Sequence, residues 1–270
     1  MTMFAAQTPN VLAIFGHPGH ELFLFQWFTQ TRCQFNCFTD GSGGTMADRT
    51  AYSRNVIDLV NGTYGPVFGL ASDKQLYQDI LNGNANRVTA WTERLIETAL
   101  QLKPETIVTD PFEYFNPVHD LANSVTDIVI AALSQRGIHC RKLVYPNEYP
   151  RQFDAAAARI TISLDAQQIA AKQIVVEGYE PLRHELARLT QQQKLDALRC
   201  ETLFDDPVRL HAIPAAADTP FERVHYEDYG RQMIANGLYS RLLTLDGHYR
   251  AFVASVIDRS LSIELCESRS

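Results

Sequence analysis

The stretch Asn10-Val11-Leu12-Ala13-Ile14-Phe15-Gly16-His17-Pro18-Gly19-His20-Glu21 sets the reading of the whole chain. Asn10 to Phe15 is a short apolar run closed by Gly16 and Pro18. A run of that length between turn residues reads as a strand buried in a parallel sheet. Two histidines, His17 and His20, follow it directly. In open parallel sheets ligands bind outside the carboxyl ends of strands. The same twelve residues therefore indicate a fold and a place for chemistry.

Outward from that strand, helix-like and strand-like segments alternate. Glu21 to Thr31 reads as a helix and Cys33 to Thr39 as a second strand. Asp40-Gly41-Ser42-Gly43-Gly44 reads as a loop, and Asp48 to Leu59 as a helix with Asp48 as its cap. Asn61 to Asn86 is rich in Gly and Asn and gives no clear assignment. Val88, Trp91, Leu95, Ile96, Ala99 and Leu102 describe one face of a helix over Arg87 to Lys103, stopped by Pro104. Thr106 to Thr109 is the next strand, followed by a long loop from Asp110 to Val118. Leu121 to Gln135 reads as a helix and Arg141 to Tyr145 as a strand. Such alternation implies an α/β fold whose parallel sheet has right-handed crossovers.

The second half is less regular. Arg159 to Leu164 is strand-like, and Ala166 to Gln192 is helical with a break near Gly178 and Pro181. Asp205 to Pro220 reads as loop, and Tyr249 to Leu261 as a helix or a strand. No linker divides the sequence. A single domain over 1–270 is expected, with a core at roughly 8–165 and a C-terminal elaboration at roughly 166–270.

Composition narrows the functional classes. The 270 residues are 46% hydrophobic and 20% charged, which excludes a disordered chain. Twenty-four basic against 31 acidic residues give a net charge of -7. That balance argues against broad nucleic-acid binding and against docking on anionic membranes. No apolar stretch is long enough to span a bilayer. The first residues lack a basic region followed by an apolar one, so no secretory leader is expected. Five scattered cysteines suit reduced thiols in a cytoplasm better than a disulfide framework. Cys33 and Cys37 share a strand face and read as small packed hydrophobes. A small-molecule substrate is the expected partner, and a homo-oligomer is left open.

Three loops at predicted strand ends hold the polar candidates: Gly16 to Glu21, Asp40 to Thr45, and Asp110 to Asp120. His17, His20 and the distant His119 are a plausible set of divalent-metal ligands, with a fourth position for water. Glu21 and Asp120 flank them. They read either as carboxylates that orient imidazoles or as helix-start acids favoured by the dipole. The glycine loop reads either as a turn or as backbone amides that approach a phosphate or sugar. Its spacing fits neither the dinucleotide nor the P-loop pattern.

Val11 to Glu21 resembles the signature of the PIG-L/LmbE-like N-acetylglucosamine deacetylases, whose strand ends in His-Pro-Asp-Asp-Glu. Thr39-Asp40-Gly41 resembles that family's Thr-Asp-Gly loop. Tyr114-Phe115-Asn116-Pro117-Val118-His119 resembles its Tyr-x-His-Pro-Asp-His segment. Tyr226 to His248 is similar to C-terminal segments of some bacterial members. The resemblance implies a Rossmann-like, mostly parallel sheet flanked by helices. It also implies a Zn2+ ion, or another divalent transition metal, and removal of acyl groups from amino sugars and related amines. On that resemblance His17 and His119 match metal ligands, and His20 stands where the family has a carboxylate ligand. Tyr114 matches a tyrosine near the reacting carbonyl. Asp40, Gly41 and Asn116 are the candidate substrate contacts, and Asp120 or Glu21 is a candidate replacement base.

Three departures bear on the chemistry. Gly19 stands where the family has its general-base aspartate. Asn116 replaces the histidine that serves as acid or stabilises the oxyanion, and Val118 replaces the aspartate that orients it. A positioned acid or base typically contributes roughly 100- to 10,000-fold, so losing both removes several kcal/mol of transition-state stabilisation. The sequence therefore supports two readings. One is a divergent metal-dependent hydrolase of N-acyl amino sugars or related small amides. The other is a catalytically impaired or repurposed member that binds a sugar or nucleotide-sugar.

Overall fold

The computed structural model describes residues 10–43, 47–148, 153–183, 199–210, 212–213, 215–216 and 223–267. Seven strands form one sheet in the order β3-β2-β1-β4-β5-β7-β6. They are β1 (Val11–Phe15), β2 (Cys33–Thr39), β3 (Thr63–Ala71), β4 (Thr106–Thr109), β5 (Arg141–Val144), β6 (Ile160–Ser163) and β7 (Cys200–Asp205). The first five are parallel, and β7 pairs antiparallel with both β5 and β6.

The apolar run becomes the middle of the sheet because both of its faces are covered. All five β1 residues are buried. Leu12 and Ile14 join one core cluster, while Val11, Ala13 and Phe15 join the other, as the two-residue period of a strand demands. On the first face lie α3 (Asp73–Leu81), α4 (Asn86–Leu102), α5 (Pro117–Gln135) and α8 (Arg250–Glu267). On the second lie a 3-10 turn (His20–Leu24), α1 (Phe25–Thr29), α2 (Thr50–Leu59) and α6 (Ala166–Gly178). A further helix, α7 (His225–Ala235), precedes α8. From β1 the chain runs to β2 and β3 on one side, then crosses to β4 and β5 on the other. The reversal lies between β1 and β4, where the carboxyl ends leave a crevice.

Several segments differ from expectation. Asn61 to Asn86 contains β3 and α3. β3 carries Gly65, Pro66 and Gly69 and exposes Thr63, Tyr64, Pro66 and Leu70 at the sheet edge, where such residues are tolerated. β7 emerges from a stretch with no strand assignment. The helix expected over Glu21 to Thr31 is split into the 3-10 turn and α1. α5 starts at Pro117, inside the expected loop, because Asn116 caps it. The helix expected over Ala166 to Gln192 does break at Gly178, as expected, and its part beyond Arg183 lies outside the described residues. Gly44 and Thr45 of the glycine loop also lie outside them. Cys33, Cys37 and Cys140 are free thiols, and the first two are buried in the sheet. Among the described residues no helix is long and apolar enough to cross a membrane.

Candidate functional site

The crevice brings the three histidines together. His17 leaves the end of β1, His20 opens the 3-10 turn, and His119 lies in the first turn of α5. Their ring centres are 4.9 Å (His17–His119), 4.6 Å (His20–His119) and 5.6 Å (His17–His20) apart. Three imidazoles on one tetrahedral zinc have metal–nitrogen distances of about 2.0–2.1 Å, and adding about 1.1 Å to each ring centre places the centres about 5.2 Å apart. The observed spacings bracket that value.

Each ring has its Nδ1 turned to a polar partner. His17 Nδ1 lies 2.9 Å from Thr39 Oγ1 at the end of β2, and 2.9 Å from Asp73 Oδ1 in the first turn of α3. His20 Nδ1 lies 2.7 Å from Asp110 Oδ1. His119 Nδ1 lies 3.3 Å from Asn147 Nδ2. A carboxylate behind an imidazole is the usual outer partner of a metal-ligating histidine. With the rings neutral, Asp73 and Asp110 place two negative charges behind them, which matches one divalent cation.

The electrostatics differ from ring to ring. Burial opposes charge on Asp73, but His17 outweighs it and holds the carboxyl below the usual carboxylate range. Burial opposes charge on His20, but Asp110 outweighs it and raises its proton affinity. Burial, with His20 and His17 nearby, pushes His119 well below the ordinary imidazole range, so it is neutral and able to coordinate.

Among the described residues, however, no group of three His, Cys, Asp or Glu donors is arranged to hold a metal ion. One obstacle is visible at His17, whose Nε2 faces the Asn116 amide nitrogen at 3.2 Å. Asn116 Oδ1 meanwhile accepts from the Val118 amide at 2.9 Å and caps α5. Ring spacing, donor chemistry and carboxylate backing fit a transition metal, and Asn116 must yield for His17 to join.

The other candidates fall around this cluster. Asp120 is fully buried. Its Oδ1 accepts from the amides of Glu113 (2.9 Å) and Tyr114 (3.2 Å), and burial pushes its carboxyl well up, towards the neutral form. It shapes the loop after β4. Tyr114 takes a left-handed φ of 56°, and its ring packs edge-on to Phe112 in the core. Asp40 Oδ1 accepts from the Ser42 amide at 2.9 Å within its own turn. The Arg49 side chain lies across Gly41, and its Nε is buried without a hydrogen-bond partner among the described residues. Glu21 receives hydrogen bonds from Ser53 Oγ (2.5 Å) and the Gly19 amide (2.9 Å). The carboxylates that meet imidazole nitrogens are thus Asp73 and Asp110, not Glu21 and Asp120. Asp110 was detectable as the first residue beyond a strand end. Asp73 and its Ser72-x-x-Gln75 capping box lie in the stretch the sequence left unassigned.

Position 19 is closed as well as bare. Gly19 has a φ of 105°, and a Cβ there would sit 2.4 Å from Leu182 Cδ1 and 3.5 Å from the Tyr179 ring. The space of a side chain at this position is occupied by the segment after α6.

No family model and no curated protein sequence matches the chain. Solved structures do. Dbv21, the deacetylase of the antimicrobial reagent A40926 pseudoaglycone, is 14% identical with a TM-score of 0.50, covering 74% of this chain and 97% of its own. The conserved protein TT1542 from Thermus thermophilus is 13% identical with a TM-score of 0.49, covering 79% and 100%. GalB, the 4-carboxy-2-hydroxymuconate hydratase from Pseudomonas putida, is 13% identical with a TM-score of 0.46, covering 80% and 100%. The chain shares the fold of Dbv21, a mostly parallel α/β sheet flanked by helices, as expected from its His17 motif.

Proposed function

We propose that the protein is a divergent, metal-dependent hydrolase of the PIG-L/LmbE-like kind, acting on an N-acyl amino sugar or a related small amide. The observation that carries this reading is the cluster of three imidazoles at ligand spacing, two of them backed by buried carboxylates. His17, His20 and His119 would hold Zn2+ or another divalent transition metal. Such an ion supplies Lewis acidity for an amide carbonyl and lowers the pKa of water. Once its amide leaves His17 Nε2, Asn116 can meet the substrate, while Asp40 and Gly41 lie beside Arg49. Asp120 holds the loop that carries Tyr114 and fixes where that residue stands.

A second reading is favoured by position 19. With no side chain there, and Leu182 in its place, the base that the family uses is absent. The crevice then binds a sugar or nucleotide-sugar and leaves it intact. Acetate release separates the two. The zinc-loaded full chain is incubated with N-acetylglucosamine and its glycosides, beside a chelated control. Slow, chelator-sensitive release supports hydrolysis. Binding without release supports the second reading, and chelator-insensitive release overturns the metal-dependent one.

A further inference from the structure

We propose that Asp110 is the positioning residue for His20, and that it returns, one shell out, the negative charge that an imidazole at position 20 lacks. This rests on the reading of the histidine cluster as a ligand site.

Asp110 is fully buried, one residue beyond β4. Its Oδ2 accepts the Gly16 N–H at 2.7 Å. Its Oδ1 accepts the Tyr145 O–H at 2.5 Å and faces His20 Nδ1 at 2.7 Å. The Gly16 amide can only donate, so Oδ2 accepts, and Oδ1 accepts from the Tyr145 hydroxyl. His20 Nδ1 is then the donor, and the lone pair of the ring lies on Nε2. Phe15, Phe23 and Tyr145 flank the ring at centroid distances of 6.1, 6.3 and 6.4 Å, which leaves His119 and His17 as its imidazole neighbours. The backbone of Asp110 is anchored too. Its carbonyl accepts from Asn123 Nδ2 at 2.8 Å, and Asn123 Oδ1 accepts from the buried Lys142 Nζ at 2.8 Å. A carboxylate held this way fixes the tautomer and the plane of an imidazole and strengthens it as a donor.

The decisive variant is Asp110→Asn. An amide has one acceptor oxygen, and Gly16 N–H requires it. The NH2 group then faces His20, so Nδ1 becomes the acceptor and the ring proton moves to Nε2. The test is nitrogen-15 NMR of the full-length, metal-free chain at alkaline pH, where imidazoles are neutral, together with zinc titration. The wild type is expected to carry its His20 proton on Nδ1, and Asp110→Asn on Nε2 or on both. Zinc affinity is expected to fall roughly 10- to 100-fold in Asp110→Asn. Tyr145→Phe keeps the carboxylate and is expected to leave the tautomer unchanged. A wild-type His20 proton on Nε2 overturns the proposal, and that measurement stands even if Asp110→Asn does not fold. An unchanged tautomer in a folded Asp110→Asn also overturns it. A wild type with the Nδ1 proton but no zinc uptake supports positioning by Asp110 and overturns the ligand reading instead.

Discussion

Replacing Gly19 by alanine adds one methyl group into space that the end of the Leu182 side chain occupies. Two costs add. The residue sits at φ 105°, outside the ordinary range of L-residues, and holding a side chain there costs about 1–3 kcal/mol. The new Cβ would lie 2.4 Å from Leu182 Cδ1, and overpacking of this kind costs about 1–3 kcal/mol. The total is about 2–6 kcal/mol, and at about 2–4 °C per kcal/mol a cost near the middle lowers Tm by roughly 8–16 °C. Thermal unfolding followed by circular dichroism measures it. Leu182→Ala removes the clash but not the strain, so Gly19→Ala should cost about 1–3 kcal/mol less in that background. Gly19→Asp meets the same wall, and acetate release should not rise in it. A Gly19→Ala chain as stable as the wild type would refute the reasoning. So would a stable Gly19→Asp chain that releases acetate faster.

Two further predictions concern the buried ion pairs that tie the later half of the chain to the sheet. Lys172 Nζ lies 2.6 Å from Glu201 Oε1, and Glu201 also accepts the amides of Gln26 (3.0 Å) and Trp27 (2.8 Å) at the start of α1. Lys172→Met strands that carboxylate and should cost about 3–5 kcal/mol in urea unfolding. A loss under about 1 kcal/mol would show that the pair is unimportant. Asp206 lies 2.8 Å from Lys142 Nζ and 2.7 Å from Arg209. Burial opposes its charge, but Lys142 and Arg209 outweigh this and hold its carboxyl below the usual range. A folded pKa below the unfolded one gives stability above about pH 4 that is lost as pH falls through the folded value. The stability gap between wild type and Asp206→Asn should therefore be full at neutral pH and shrink in acid. A gap independent of pH would contradict the assignment.

The legible part of the sequence was the part that is buried on both faces or punctuated sharply. β1 and β4 have short apolar cores, β2 sets Cys33, Phe35 and Cys37 on one face, and α4 has one continuous apolar face, so local pattern and tertiary role agree. β3 and α3 were not legible, because an edge strand with Gly65, Pro66 and Gly69 carries a weak pattern. β7 lies antiparallel between β5 and β6, a placement that no βα alternation announces. At the site, the three histidines were visible as residues at strand ends. Their outer partners were not. Asp73 and Asp110 reach His17 and His20 across 56 and 90 positions of sequence, and only the folded sheet makes them neighbours. Gly19 was visible as a missing carboxylate, but the occupation of its space by Leu182, far along the chain, was not.

The central claim is that His17, His20 and His119 hold a metal. Elemental analysis of full-length protein, purified without chelator or histidine tag, tests it most directly when wild type and His119→Ala are measured side by side. The account predicts about one divalent transition metal per wild-type chain, as a single three-histidine site requires, and loss of most of it in His119→Ala. Equal metal content in the two proteins, or none in the wild type, would contradict it.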